Sequence, residues 1–284
     1  MKTSTIPMLL MFIALGCNQS EENASNNQNP NLPAQDILNV AYGNDAEQKM
    51  DIYLPAARNI DTKVIILVHG GGWSGGSKAD FNYVIPTLKL NFPEHAIVNM
   101  NYRLGTTSSP GFPKQIQDIE KLVQHLKNSD YSISEDYAFI GASAGAHLSM
   151  LYAYHYDPGH DVKAVASIVG PTDFTDPVYT GNPLYQYGLL PLVGNVNYQQ
   201  NPEVFIEVSP ATHVSAQSPA TIMFYGGQDP LVPATQAPRL KEKLDQFGVY
   251  NEMYIYANGG HGNWDIQTMA DFTAKLITFL HDRF

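Results

Sequence analysis

The chain alternates between two hydrophobic periodicities. Seven short runs are apolar almost throughout or alternate with period two: residues 50–55, 63–69, 96–102, 137–142, 164–170, 220–226 and 251–257. They are rich in β-branched and aromatic residues and bounded by Gly, Pro, Asn or Asp, which predicts strands. The central ones, such as Val64-Ile65-Ile66-Leu67-Val68, have no polar face. That is expected where helices cover both sides of a parallel sheet. Between the strands the period becomes helical. In 114–127, Ile116, Ile119, Leu122, Val123 and Leu126 recur on one face. The run 238–248 ends in Gly248, suited to a helix C-terminus, and a last helix is expected over 263–284. Repeated strand and helix predict the α/β class: one mostly parallel, twisted sheet with helices on both faces, filling residues 37–284.

Residues 171–208 break this rhythm. They are rich in Tyr, Pro and Gly, and an irregular segment of this length is more often functional than idle. It is expected to wall a pocket above the sheet, with Tyr179, Tyr185, Tyr187 and Tyr198 as candidates for the wall.

The first residues change the picture of where the protein works. Lys2 precedes an apolar run, Ile6 to Gly16, too short to span a bilayer. Cys17 follows at once and is the only cysteine of the chain. The pattern resembles a bacterial lipoprotein signal over 1–16, with Cys17 as the lipid-bearing residue of an exported, membrane-anchored protein. The alternative is cleavage after Ala14-Leu15-Gly16 and plain secretion, leaving Cys17 a free thiol. One cysteine allows no intrachain disulfide. Residues 17–36 are nearly devoid of apolar side chains and read as a flexible tether. The net charge of −11, from 16 basic and 27 acidic residues, argues against nucleic acid as a partner.

In an open α/β sheet, ligands sit at the carboxyl ends of the strands. There the predicted strand 137–142 runs into Gly141-Ala142-Ser143-Ala144-Gly145, a G-x-S-x-G turn that opens a predicted helix. So tight a turn needs small neighbours, and all four are Gly or Ala. It presents a serine at a helix N-terminus, where negative charge is favoured. A serine hydroxyl needs a base. Of nine histidines, His261 lies on a Gly-rich loop between the last strand and the last helix, in position to reach it. His69 and His147 read as local structural residues, and His155 and His213 have less telling contexts.

The base needs an orienting acid. Asp229 directly follows the penultimate strand and gives the chain order Ser143, Asp229, His261. Asp173 is the runner-up, with bracing of the pocket wall as its other reading. The glycines after His69 bare their backbone N–H groups. Gly71 and Gly72, together with Ala144, are the expected donors to a developing oxyanion. A phosphate-cradling loop is excluded, since no Lys-Ser/Thr follows in register. Trp73 and Tyr102 are the candidate substrate contacts, with core packing an equal reading for Trp73.

Taken together, His69-Gly70-Gly71-Gly72-Trp73, Asn101-Tyr102-Arg103-Leu104, Gly141 to Leu148, Gly227 to Pro233 and Gly260-His261-Gly262 resemble the esterase/lipase branch of the α/β-hydrolase superfamily. The nearest group holds bacterial feruloyl and acetyl-xylan esterases, with hormone-sensitive-lipase-like enzymes and kynurenine formamidases as cousins. The resemblance spans about residues 37–284 and implies an α/β-hydrolase fold without a large cap domain. It implies Ser143 as nucleophile, His261 and Asp229 as relay, and Gly71, Gly72 and Ala144 as the oxyanion hole. Arg103 and Asp118 look like a structural pair. The expected substrate is a small-molecule or glycan ester, short-chain or carbohydrate-linked, and no metal or cofactor is implied. Two alternatives stay open: an amide hydrolase, such as a formamidase or peptidase, on the same triad, and a non-catalytic surface binding protein on the same fold.

Overall fold

Val64 to Val68 are all fully buried and carry the sheet's two cores on alternate residues. Val64, Ile66 and Val68 pack with Ile119 and Leu122 on one face, and Ile65 and Leu67 with Leu88, Phe279 and Leu280 on the other. In the computed structural model, which describes residues 32–284, this strand is β3 (Val64–Val68) of eight. The others are β1 (Gln35–Ala41), β2 (Lys49–Leu54), β4 (Ala96–Met100), β5 (Tyr137–Ala142), β6 (Val162–Ile168), β7 (Ala220–Gly226) and β8 (Asn251–Tyr256). The order across the sheet is β1-β2-β4-β3-β5-β6-β7-β8. β2 is antiparallel to both β1 and β4, and every pairing from β4 to β8 is parallel.

The helices are α1 (Ile85–Asn91), α2 (Lys114–Lys127), α3 (Ala144–Leu151), α4 (Pro177–Thr180), α5 (Pro183–Val193), α6 (Pro202–Glu207), α7 (Gln236–Gln246) and α8 (Ile266–Arg283). α2, with its apolar stripe at the expected positions, covers one face of the sheet, and α1 and α8 cover the other. The three short helices α4 to α6 are the 171–208 segment, rising between β6 and β7.

The expected signal at 1–16, the lipid site Cys17 and most of the expected tether lie outside the described residues. The far end of that tether differs from expectation. β1 starts at Gln35, and the chain before it is fastened by Arg58, which donates to the Pro33 carbonyl (2.6 Å), the Tyr131 carbonyl (2.9 Å) and Gln35 Oε1 (3.1 Å). β1 is an edge strand with mostly exposed side chains and an irregularity between Ile37 and Val40. It therefore has no clean alternation to be read.

The Arg103–Asp118 pair braces this frame. Asp118, on α2, is fully buried. It accepts from Arg103 Nη2 (2.6 Å), Arg103 Nε (2.9 Å), the Arg103 backbone N–H (2.8 Å) and Gln48 Nε2 (2.6 Å). Removing one partner of a buried pair strands the other charge. Arg103→Ala should lower unfolding stability by about 3 kcal/mol, read as a lower urea midpoint at unchanged slope. An unchanged midpoint would show that the two backbone and amide donors alone satisfy Asp118.

Candidate active site

Ser143 stands alone between β5 and α3, with φ 51° and ψ −117°. A non-glycine residue there is strained. It is held because its N–H donates to the Ile168 carbonyl (2.7 Å) and because its neighbours let α3 press against the sheet. A Cβ on Gly145 would lie 2.0 Å from the Val68 carbonyl oxygen and 2.3 Å from that of His69. The small residues of the G-x-S-x-G turn are thus required by contact between the helix start and the end of β3.

The strain aims the serine hydroxyl at His261. The loop after β8 brings His261 Nε2 to 2.9 Å from Ser143 Oγ, while its Nδ1 lies 2.7 Å from Asp229 Oδ2. With Nδ1–H donating to the carboxylate, Nε2 carries the lone pair and accepts from the hydroxyl. Asp229 is fixed in turn, since its Oδ1 accepts from the backbone N–H groups of Leu231 (2.8 Å) and Val232 (3.0 Å). Burial pushes the Asp229 carboxyl up, but the hydrogen bonds from His261, Val232 and Leu231 outweigh it and hold the group below its ordinary value. It therefore stays ionised beside the imidazole. Asp173 is elsewhere: its carboxylate takes Arg239 Nε (2.7 Å) and the Thr175 N–H (2.9 Å), a brace for the pocket wall.

On the other side of Ser143 lies the glycine loop. Gly71, Gly72 and Trp73 all have positive φ, at 114°, 56° and 60°. Gly71 has no alternative, because a Cβ there would sit 2.1 Å from the Gly75 carbonyl oxygen. Among the described residues, the N–H groups of Gly71, Gly72 and Ala144 meet no protein acceptor. Gly71 and Gly72 line the same cleft as Ser143 and His261, and Ala144 opens α3 one residue after the serine.

Trp73 stands between the cleft and the core. It lines the cleft yet is only 7% exposed. Its carbonyl accepts from Gln115 Nε2 (2.7 Å) and the Gly105 N–H (2.7 Å). Its indole N–H donates to His147 Nδ1 (3.1 Å), and His147 Nε2–H donates to the Val208 carbonyl (2.7 Å). Tyr102 corrects the expectation of a substrate contact. It is fully buried, its hydroxyl donates to the His69 carbonyl (2.7 Å), and its ring stacks on the His69 imidazole at 4.2 Å. It supports the glycine loop from behind.

The 171–208 segment walls the cleft, of about 710 Å³, with Tyr179, Tyr185, Leu184 and Leu189; Leu231 and Val232 close another side. Tyr187 points to solvent at 74% exposure, and Tyr198 packs on Phe205 instead of lining the cleft. The lining offers one imidazole and no carboxylate or thiol. Two residues without a sequence-based role fasten this arrangement. Gln115 clamps Trp73, and its one available signal was a polar residue on the apolar face of α2. Gln236, buried at the start of α7, accepts from the N–H groups of Thr172 and Asp173 (2.8 Å each) and ties down the base of the wall.

The sequence model of the BD-FAE family matches residues 50–244. Esterase LipC of Mycobacterium tuberculosis (strain ATCC 25618 / H37Rv) is 28% identical over 241 residues, which is 78% of this chain and 59% of that protein. Kynurenine formamidase of Salmo salar is 30% identical over 124 residues, 42% of this chain and 38% of that protein. Among solved structures, a truncated form of a carbohydrate esterase from gut microbiota superposes with a TM-score of 0.70 at 23% identity, covering 86% of this chain and 96% of the other. The architecture is that of the α/β-hydrolase fold. The chain spans about half the length of the curated relatives it matches.

His147 carries a measurable consequence. It is fully buried, and that burial lowers its pKa from 6.5 to about 4, against a smaller upward pull from the Val208 carbonyl. The unfolded chain therefore takes up a proton that the native chain refuses. This residue should cost up to about 1.4 kcal/mol of stability per pH unit as pH falls from 6.5 toward 4. Urea unfolding of His147→Gln should show a correspondingly shallower loss of stability over that window. Parallel curves for the two proteins would mean that His147 is protonated in the native state.

Proposed function

Since the chain belongs to the BD-FAE family, we propose that it is a serine hydrolase that cleaves carboxylic esters through an acyl-enzyme. The observation that carries this reading is the unbroken relay from Asp229 through His261 to Ser143 at the floor of an apolar cleft. Ser143 Oγ attacks the ester carbonyl carbon while His261 Nε2 takes the hydroxyl proton. The carbonyl oxygen becomes an oxyanion, and the N–H groups of Gly71, Gly72 and Ala144 are the donors for it. The tetrahedral species collapses, the carbon–oxygen bond to the alcohol breaks, and His261 returns the proton to the leaving alkoxide. Water then repeats both steps on the acyl-serine and frees the acid. Asp229 keeps the proton of His261 on Nδ1 throughout and stabilises the imidazolium.

The lining bears on the substrate. Around Ser143 the wall is Tyr, Trp, Leu, Val and Pro, with Asn182 the one amide side chain. An uncharged group fits such a wall, and a charged one would lose its hydration without a partner. Short-chain or carbohydrate-linked esters, with an acetyl or feruloyl acyl group, meet that condition. The names of the carbohydrate esterase and of Esterase LipC support the ester reading. The kinship with kynurenine formamidase keeps amide cleavage as the second reading. A non-catalytic binding role gives no reason for the relay to be intact.

Kinetics on matched p-nitrophenyl butyrate and butyryl p-nitroanilide decide between these. Wild type is expected to favour the ester. Asp229→Asn should lower kcat about 10⁴-fold through the wrong histidine tautomer, and Ser143→Ala should fall to background. A preference for the anilide would support the amide reading. A Ser143→Ala variant that keeps most of its turnover would remove the covalent mechanism.

A further inference from the structure

A second group of chemically capable side chains lies outside the cleft. After α3 the chain continues as one π-turn, Tyr152–Tyr156. Such wide turns are rare and recur at functional positions. The turn carries His155. Glu207 is the last residue of α6, and His213 follows the short 3-10 turn Pro210–Thr212. Three separate segments thus meet at one point. One nitrogen of each imidazole and one oxygen of the Glu207 carboxylate lie within 4.8 Å of one another, and His155 Nε2 is 3.6 Å from Glu207 Oε1.

We propose that His155, Glu207 and His213 form a binding site for a transition-metal dication, zinc foremost. Imidazole and carboxylate are the donors zinc accepts, whereas magnesium and calcium prefer sites built from oxygen alone. The orientation of the donors favours this use. His213 Nε2–H donates to the Glu207 backbone carbonyl (2.9 Å), which leaves the lone pair on Nδ1. A ligating histidine is commonly fixed in this way, by a backbone carbonyl on its other nitrogen. The Glu207 carboxylate is held as well, since the Tyr156 hydroxyl donates to Oε1. The two imidazole rings lie nearly parallel, 3.9 Å apart.

The reach is short. Donors about 2.0–2.1 Å from a tetrahedral zinc stand about 3.3 Å from one another. Closing from at most 4.8 Å needs a movement of about 1.5 Å. His155, the exposed member of the three, is free to turn by that much. Three protein donors leave a fourth position for water. The site has no part in the relay. It would join the foot of α3, the helix that Ser143 opens, to the segment whose Val208 carbonyl holds His147. Zinc there would brace the backing of the glycine loop.

The test is zinc chloride added to the purified protein, prepared without a polyhistidine tag, and read by calorimetry and thermal melting. Neither readout depends on turnover, so the result is independent of the hydrolase assignment. Saturable one-to-one binding is expected. At zinc about 100 times its dissociation constant, the melting temperature should rise by about 5 °C or more. His155→Ala and Glu207→Gln, both on the surface, should each weaken binding at least tenfold. Magnesium chloride at the same concentration should leave the melting temperature unchanged. Absence of saturable binding, equal binding by His155→Ala, or an equal shift with magnesium would overturn the proposal.

Discussion

The strained backbone of Ser143 is the constraint on which the rest of the structure depends. A residue in so unfavourable a conformation costs about 1–3 kcal/mol and persists only when its surroundings over-determine it. Here they do. Its N–H is bonded to the end of β6. Gly145 lies against the carbonyls that end β3. Every residue of α3 from Ala144 to Leu151 is buried. The serine cannot relax without pulling a buried helix off the sheet. That is why the parallel strands β3, β5 and β6 must be apolar and rigid. They are the anvil on which one side chain is held toward solvent.

The same helix also sets the opposite wall of the site. One turn after Ser143, His147 receives the indole N–H of Trp73 and passes its own proton to the Val208 carbonyl. Trp73 is thereby gripped at the side chain, while Gln115 and the Gly105 N–H grip its carbonyl. A non-glycine residue at φ 60° needs such restraint. The glycines before it, which line the cleft, are then fixed from one side. Ser143 and the glycine loop are thus registered to one another through one buried hydrogen-bonded network of His147, Trp73 and Gln115.

Much of this was legible in the chain. Seven strands and α2 lie within two residues of their expected bounds, because apolar runs of that length and period have few other uses. The meeting of Ser143, His261 and Asp229 was legible because a tight strand-to-helix turn and loops at the carboxyl ends of the strands leave few other places for these residues. β1 was not, since an exposed edge strand carries no periodicity. Tyr102 misled because its place in a motif beside the site says nothing about the direction of its ring, which turns inward onto His69. Gln236 was silent for a different reason. Its partners Thr172 and Asp173 are more than sixty positions away, and only the fold brings them together. His155 and His213 are also remote in sequence and stack in space. The crossover placing β4 between β2 and β3 also rests on pairings that no local pattern records.

The proposed hydrolysis requires that His261 and Asp229 activate Ser143. The most direct measurement is the intact mass of the protein after exposure to a fluorophosphonate probe, with Ser143→Ala treated in parallel. The geometry predicts one adduct per chain in the wild type and none in the variant, because only a serine with an assembled base and oxyanion donors attacks such a probe. A folded wild-type protein that takes up no adduct, or a Ser143→Ala variant labelled to the same extent, would contradict it.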